Sequence, residues 1–111
     1  MRKYRGQCHC GVVQFEITTA LDRVVRCNCS ICRRRSAVMC YVDAERFVLF
    51  AGREYLTEYQ FHTKTAMHFF CKVYGIFPFL EYRNVYCVNV GCLEGVDPYE
   101  FEPELIDGRS F

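Results

Sequence analysis

The sequence predicts one mostly β domain that spans residues 1–111 and consists of short antiparallel strands. A chain of 111 residues can form one hydrophobic core but is too short for two. Its 51% hydrophobic content, with ten Phe and eight Tyr, excludes a disordered chain. These aromatic residues favour strands because their side chains pack well on a pleated surface.

Eight short segments have the composition of strands. In the first, GVVQFEI (residues 11–17), Val13, Phe15 and Ile17 lie on one face and Gln14 and Glu16 on the other, as in a half-buried strand. The next seven are RVVRCN (23–28), AVMCYV (37–42), FVLF (47–50), YLTEYQF (55–61), AMHFFCK (66–72), IFPFLEY (76–82) and VYCVNV (85–90). Turn-forming residues separate them, which indicates a sandwich or a barrel-like domain.

Helix is expected in one place only, the run SICRRRS at residues 30–36. Ser30 is the predicted N-cap, which puts Cys32 in the first helical turn. The tail after Gly95 contains Pro98 and Pro103 among acidic residues, so we expect it to extend over the surface.

The formal net charge is only +1, which gives no overall electrostatic argument for binding nucleic acid. Charge is nevertheless uneven along the chain. Residues 1–35 carry eight Lys/Arg and two acidic residues, whereas residues 94–111 carry six acidic residues and one arginine. The two ends of the chain are expected to attract each other in the fold.

The sequence shows neither an N-terminal secretory signal nor an apolar stretch of the ~18 residues that a membrane span requires. We therefore expect a cytoplasmic protein that does not bind membranes. A reducing compartment disfavours disulfides, and the number of cysteines, nine, is odd. Clustered cysteines in such a chain indicate metal binding.

The first group of cysteines is Cys27, Cys29 and Cys32, within the segment RCNCSICRRRS. Zinc has four protein ligands in structural sites, but three protein ligands and an open position in catalytic sites. Three local cysteines fit the second arrangement. A distant residue would instead close the site, and the candidates for that fourth ligand are Cys40, His62 and His68.

A second group combines Cys8 and Cys10 with Cys71, which a strand carrying two phenylalanines could bring alongside. The segment FCKVYG around Cys71 is similar to a zinc knuckle, but its second cysteine is replaced by Tyr74. A phenol with a pKa near ~10 and a longer reach cannot replace a thiol there without movement of the loop.

Four motifs, taken in this order and spacing, resemble the glutathione-dependent formaldehyde-activating enzymes, a family that includes the centromere protein V-like proteins. They are GQCHCGVVQFE, CNCSICRRRS, HFFCKVYGIFPF and VNVGCLEGVDP. The resemblance implies a β-tent fold organised around one or two zinc ions. It also implies that Cys27, Cys29 and Cys32 hold a catalytic zinc, while Cys8, Cys10 and Cys71 hold a structural zinc that lacks its fourth cysteine at Tyr74.

The activity implied by the resemblance is that of a carbon–sulfur lyase, which adds glutathione to formaldehyde to give S-hydroxymethylglutathione. Among the arginines that follow Cys32, Arg33 and Arg34 are the candidates for binding the carboxylates of glutathione, which a guanidinium can engage in bidentate fashion.

Three other functions stay open: a non-enzymatic zinc module that binds protein or nucleic acid, a glutathione carrier, and a thiol-based redox sensor. The near-neutral charge disfavours nucleic acid as the partner. The sequence makes no prediction of the oligomeric state.

Overall fold

The computed structural model describes residues 1–61 and 64–110, and within these ranges the chain forms ten strands and one α-helix. The elements in chain order are β1 (Arg2–Gln7), β2 (Gln14–Thr19), β3 (Val25–Cys27), α1 (Ser30–Arg35), β4 (Met39–Asp43), β5 (Phe47–Ala51), β6 (Leu56–Tyr59), β7 (Ala66–Cys71), β8 (Phe79–Tyr82), β9 (Val85–Asn89) and β10 (Glu104–Ile106). Short 3-10 turns connect several of them.

The strands form two sheets. One has three strands in the order β1-β2-β5, and the other has seven in the order β10-β3-β4-β9-β8-β7-β6. Neighbouring strands pair antiparallel, except that the tail strand β10 runs parallel to β3. The mostly β fold class predicted from the sequence is therefore confirmed.

The main core lies between the two sheets. Phe15 of β2 contacts Phe79 of β8 with ring centroids 5.5 Å apart, and Phe47 of β5 stacks on Tyr86 of β9 at 4.0 Å. Such ring pairs contribute about 0.5–1.5 kcal/mol beyond the burial of their area. These aromatic contacts join the three-stranded sheet to the seven-stranded sheet.

A smaller side core lies where α1 packs on the seven-stranded sheet. Its buried members are Val25, Cys32, Met39, Phe77, Leu80 and Cys87. Cys32 therefore belongs to the packing of this side core, whereas Cys8 and Cys71 belong to the main core.

Each of the eight predicted segments contains a strand, but two strands were not predicted. β1 is an edge strand with a single buried residue, and β10 has three residues in an acidic tail, so neither has an apolar pattern that could reveal it. The N-cap prediction was wrong. Ser30 is the first helical residue, and Cys29 occupies the cap with an extended backbone and no side-chain cap bond.

The expected attraction between the basic and acidic ends is seen at one ion pair, Arg23 with Glu104, in which Nε and Oε2 are 2.9 Å apart. This pair lies at the edge where β10 joins β3. No helix among the described residues is long and apolar enough to cross a membrane.

Candidate functional site

The first cluster consists of Cys27, Cys29 and Cys32, whose sulfur atoms all lie within 4.8 Å of one another. Cys27 ends β3, Cys29 caps α1, and Cys32 is the third residue of that helix. The sharp change from strand to helix brings the sulfurs together, and the Cys29 N–H donates to Cys27 Sγ at 3.5 Å. Cys32 is buried, whereas the other two are half-buried, so the cluster lies at the surface.

The C-terminal tail is fixed beside this cluster by Asn28. The Asn28 N–H donates to the Ile106 carbonyl at 3.2 Å, and its side-chain amide donates to Asp107 Oδ1 at 3.0 Å. The Arg109 N–H in turn donates to Asn28 Oδ1 at 2.9 Å. These bonds join positions about 80 residues apart and extend the parallel β3–β10 pairing past the end of the strands.

Gly108 lies directly against the cluster as a result. A Cβ atom placed on Gly108 would overlap Cys27 Sγ and lie 3.1 Å from Cys29 Cβ. The tail therefore forms one wall of the first cluster and leaves no room for a side chain at this position.

The guanidinium of Arg35 lies on another side of the cluster. Its Nη2 is 3.5 Å from Cys32 Sγ and 3.2 Å from His68 Nδ1, and its Cζ lies 3.7 Å from the centroid of the Phe77 ring. The Arg35 Nε is buried and has no hydrogen-bond partner among the described residues. Arg35 follows Cys32 by three residues, a spacing that puts both on one face of a helix.

Arg33 and Arg34, the two arginines singled out from the sequence, are exposed. The Arg34 guanidinium donates to the Ser30 carbonyl at 2.7 Å, so it folds back along α1 toward the start of the helix. A groove beside this part of α1 is lined by Ser30, Ile31, Arg34, Tyr59 and Phe61.

Burial and hydrogen bonding set the protonation of the first cluster. Burial raises the pKa of Cys29, but hydrogen bonds from Cys32 and Cys27 outweigh it, so this pKa is lowered overall. Burial raises the pKa of Cys32 to about 12, although the Arg35 guanidinium opposes the shift. The Cys32 thiol must therefore lose a proton when a metal binds.

Of the three residues considered as a closing fourth ligand, Cys40 and His68 are not members of the three-thiol cluster, and His62 is outside the described residues. Cys40 is buried in the main core. His68 is buried and hydrogen-bonds to Arg35. Burial and the Arg35 charge lower the pKa of His68 to about 4, so it is a neutral acceptor at physiological pH.

The second cluster consists of Cys8, Cys10 and Cys71, again with all sulfurs within 4.8 Å of one another. Cys10 Sγ is 3.3 Å from Cys8 Sγ and 3.6 Å from Cys71 Sγ. Burial raises the pKa of Cys8, but the Val13 N–H and the two neighbouring thiols lower it, with a net result of about 7. Cys8 and Cys71 are fully buried at the end of the main core.

Tyr74, which replaces the expected fourth cysteine, points away from this cluster. Its side chain is 68% exposed and meets the ring of the exposed His9 edge-on at 6.1 Å. The turn that carries it is closed by bonds from the Gly75 N–H to the Cys71 carbonyl and from the Cys71 N–H to the Ile76 carbonyl.

Both clusters have a donor set that fits a soft divalent metal ion. All nine cysteines are free thiols, and thiolate ligands suit zinc better than the harder cations. The charge at the first cluster also fits, because three thiolates around a dication leave one negative charge beside the half-buried Arg35.

Arg35 and Gly108 were not singled out as site residues from the sequence, and His68 was considered there only as a fourth metal ligand. The spacing of Cys32 and Arg35 on one helical turn is a signal that could have identified the first. No local pattern indicates His68 or Gly108, since each reaches the site from a distant part of the chain.

Comparison with known proteins agrees with this arrangement. The family model described as "Glutathione-dependent formaldehyde-activating enzyme" matches residues 3–106. A crystal structure of a Rhodobacter sphaeroides protein, solved in a structural genomics programme, superposes with a TM-score of 0.87 at 39% sequence identity. The match covers 92% of this chain and 99% of that one. The protein whose two cysteine clusters are described above is thus a member of the glutathione-dependent formaldehyde-activating enzyme family.

Proposed function

We propose that the protein adds glutathione to formaldehyde at the first cluster, giving S-hydroxymethylglutathione, and that Cys27, Cys29 and Cys32 hold a zinc ion there. The observation that carries this proposal is a surface cluster of three thiols for which the described residues supply no fourth ligand. When bound, the zinc ion supplies an open coordination position that favours the thiolate form of an incoming thiol.

The protein's own residues bind and orient the substrates. Arg34 lies in the groove beside α1, where its guanidinium can engage a glutathione carboxylate, and the exposed Arg33 can engage the second. Tyr59 and Phe61 stack with ring centroids 5.8 Å apart and form an apolar wall of the same groove.

The reaction requires no oxidant or reductant. The thiolate sulfur attacks the carbonyl carbon and forms the carbon–sulfur bond, while the carbonyl π electrons move to oxygen, which takes up one proton. Proximity of the two reactants is the main contribution that such a site can make to this addition.

For the second cluster we propose a structural role, in which Cys8, Cys10 and Cys71 hold a second zinc ion with three thiolates. Two of these residues are fully buried in the main core, which supports a contribution to folding. We also propose that one family domain spans residues 1–111. The nine free thiols support a cytoplasmic location, where thiols are kept reduced.

The test measures zinc and turnover on the same samples. Zinc per chain is determined by elemental mass spectrometry, and the conversion of 13C-formaldehyde with glutathione is followed by exchange NMR against the uncatalysed rate. We expect acceleration by the wild type, and loss of both acceleration and one zinc in Cys32→Ser. Cys40→Ala is the matched control, because Cys40 is a buried thiol outside both clusters.

Acceleration that survives in Cys32→Ser would refute catalysis at the first cluster. A wild-type protein that carries zinc, binds glutathione and gives no acceleration would identify a carrier. A protein with zinc and no affinity for glutathione would be a non-enzymatic zinc module.

A further inference from the structure

We propose that Arg35 is a positioning residue that acts as the counter-charge of the first cluster and allows an external thiolate to join three cysteine thiolates. This inference rests on the proposed function of the first cluster as an open zinc site. It assigns to Arg35 a role in binding the thiol sulfur, which differs from the carboxylate binding proposed for Arg33 and Arg34.

Geometry is the first argument. Arg35 Nη2 is 3.5 Å from Cys32 Sγ, within reach of a charge-assisted hydrogen bond to a thiolate. The same nitrogen is 3.2 Å from His68 Nδ1, and the guanidinium plane lies over Phe77 with Cζ 3.7 Å from the ring centroid. A neutral imidazole and an aromatic face hold the cation in place without cancelling its charge.

The unfavourable setting of this guanidinium is the second argument. Its Nε is buried without a hydrogen-bond partner, and within residues 1–61 and 64–110 no carboxylate forms an ion pair with it. A partly buried cation without an anion is costly to maintain, and each buried polar atom without a partner calls for an explanation. An anionic metal centre next to Cys32 supplies the missing anion.

Charge balance is the third argument. Three thiolates and a dication carry one negative charge, which Arg35 balances. A fourth thiolate raises the negative charge to two, and the repulsion that opposes its binding is reduced by a cation in contact with Cys32. Arg33 and Arg34 are exposed to solvent, so their charges are screened more strongly.

A thiolate adds a negative charge at the open position, whereas a neutral ligand adds none. Loss of the Arg35 charge should therefore weaken thiolate binding alone, whereas loss of a structural contact should weaken the binding of both ligands. The experiment uses the protein loaded with Co2+, whose visible absorption reports each new ligand, and titrates it with 2-mercaptoethanol and with imidazole. Because 2-mercaptoethanol has no carboxylate, the measurement is independent of the carboxylate binding proposed for Arg33 and Arg34. The readout is the ratio of the two affinities within one sample, which does not depend on the amount of folded protein.

Arg35→Met keeps an unbranched side chain over Phe77 but removes the charge, and Arg35→Lys keeps the charge without the planar fork. Arg2→Gln is the matched control, since it removes an exposed arginine from β1, which is not part of the seven-stranded sheet. We expect R35M to weaken 2-mercaptoethanol binding by about tenfold or more and imidazole binding by less than about threefold. R35K and R2Q should keep the wild-type ratio.

Equal weakening of both ligands in R35M would overturn the proposal and indicate a structural role for Arg35. An unchanged affinity for 2-mercaptoethanol in R35M would also overturn it. If R35M does not fold, Arg35→Gln removes the charge with a shorter polar side chain: a ratio shifted by about tenfold against 2-mercaptoethanol supports the proposal, and a wild-type ratio overturns it. A wild-type Co2+ protein that binds neither ligand would instead remove the open site itself, and with it the proposed function.

Discussion

Replacement of Gly108 by alanine should weaken metal binding at the first cluster. The added methyl group would overlap Cys27 Sγ and lie 3.1 Å from Cys29 Cβ. The φ angle of Gly108 is outside the left-handed region, so alanine brings no backbone strain and the variant tests the contact alone. Either Cys27 or the tail must move to relieve the overlap.

The hydrogen bonds of Asn28 indicate whether Cys27 or the tail moves. Three bonds join Asn28 to Ile106, Asp107 and Arg109, and at about 0.5–1.5 kcal/mol each they stabilise the tail by roughly 1.5–4.5 kcal/mol. Overpacking by one methyl group costs about 1–3 kcal/mol. Displacing the tail is therefore the more costly response, and we expect Cys27 to turn away from the cluster instead.

Without a metal bond, the Cys27 side chain can change rotamer at the cost of the hydrogen bond that it accepts from the Cys29 N–H, so the penalty falls mainly on the metal-loaded state. A cost of about 1–3 kcal/mol corresponds to a loss of zinc affinity of about 5- to 150-fold. Affinity is measured by competition with a chromogenic chelator. Alkylation and mass spectrometry at each chelator concentration assign the released zinc to one of the two clusters.

The control is Arg109→Ala, which shortens the neighbouring exposed side chain but keeps the backbone bond to Asn28. It should leave the zinc affinity unchanged and alter the free energy of unfolding by no more than about 0.5 kcal/mol. Unchanged zinc affinity and stability in Gly108→Ala would refute the contact itself. Lower stability with unchanged zinc affinity would show that the tail, and not Cys27, gives way.

Two further predictions concern Tyr74 and His68. The second cluster is one thiol short of a closed zinc site, so Tyr74→Cys should raise its zinc occupancy and the thermal midpoint. Elemental mass spectrometry and calorimetry measure the two values, and no change in either would contradict the prediction and show that the turn holds position 74 away from the cluster. The pKa of His68 is about 4 in the fold and 6.5 in an unfolded chain, so the unfolded state binds more protons between these values. The free energy of unfolding should therefore decrease by the order of 3 kcal/mol as the pH falls through this range. Denaturant titrations of the zinc-saturated protein at several pH values measure this decrease, and it should be absent in His68→Gln.

The sequence predicted the features that depend on local pattern. Alternation in residues 11–17 identified β2, and the spacing of three cysteines identified the first cluster. The second cluster was predicted from the knuckle-like segment around Cys71 and from the family resemblance. The strands β1 and β10 were missed because their backbones pair at sheet edges while most of their side chains face solvent. Their pairing depends on distant partners, which no local composition reveals.

The site was less predictable than the fold for the same physical reason. In the sequence, Asn28 is only the residue between two cysteines, and nothing local indicates a role for it. In the structure it fixes the tail through hydrogen bonds that span about 80 residues. Of the three consecutive arginines, only Arg35 follows Cys32 at a spacing that lets its charge reach the sulfur. The run of arginines was visible in the sequence, but which arginine contacts the cluster depends on the helix that Cys29 caps.

The number of ligands cannot distinguish the roles of the two clusters, since each brings together three thiols. The residues that surround each cluster do differ. Two of the three cysteines of the second cluster are fully buried at the end of the main core, and among the described residues its sulfurs bond to a backbone N–H and to one another, with no charged donor. An additional anion there would meet no counter-charge. The first cluster has a guanidinium against Cys32 and two half-buried sulfurs, and these surroundings are why we propose it, and not the second cluster, as the place where a further thiolate binds.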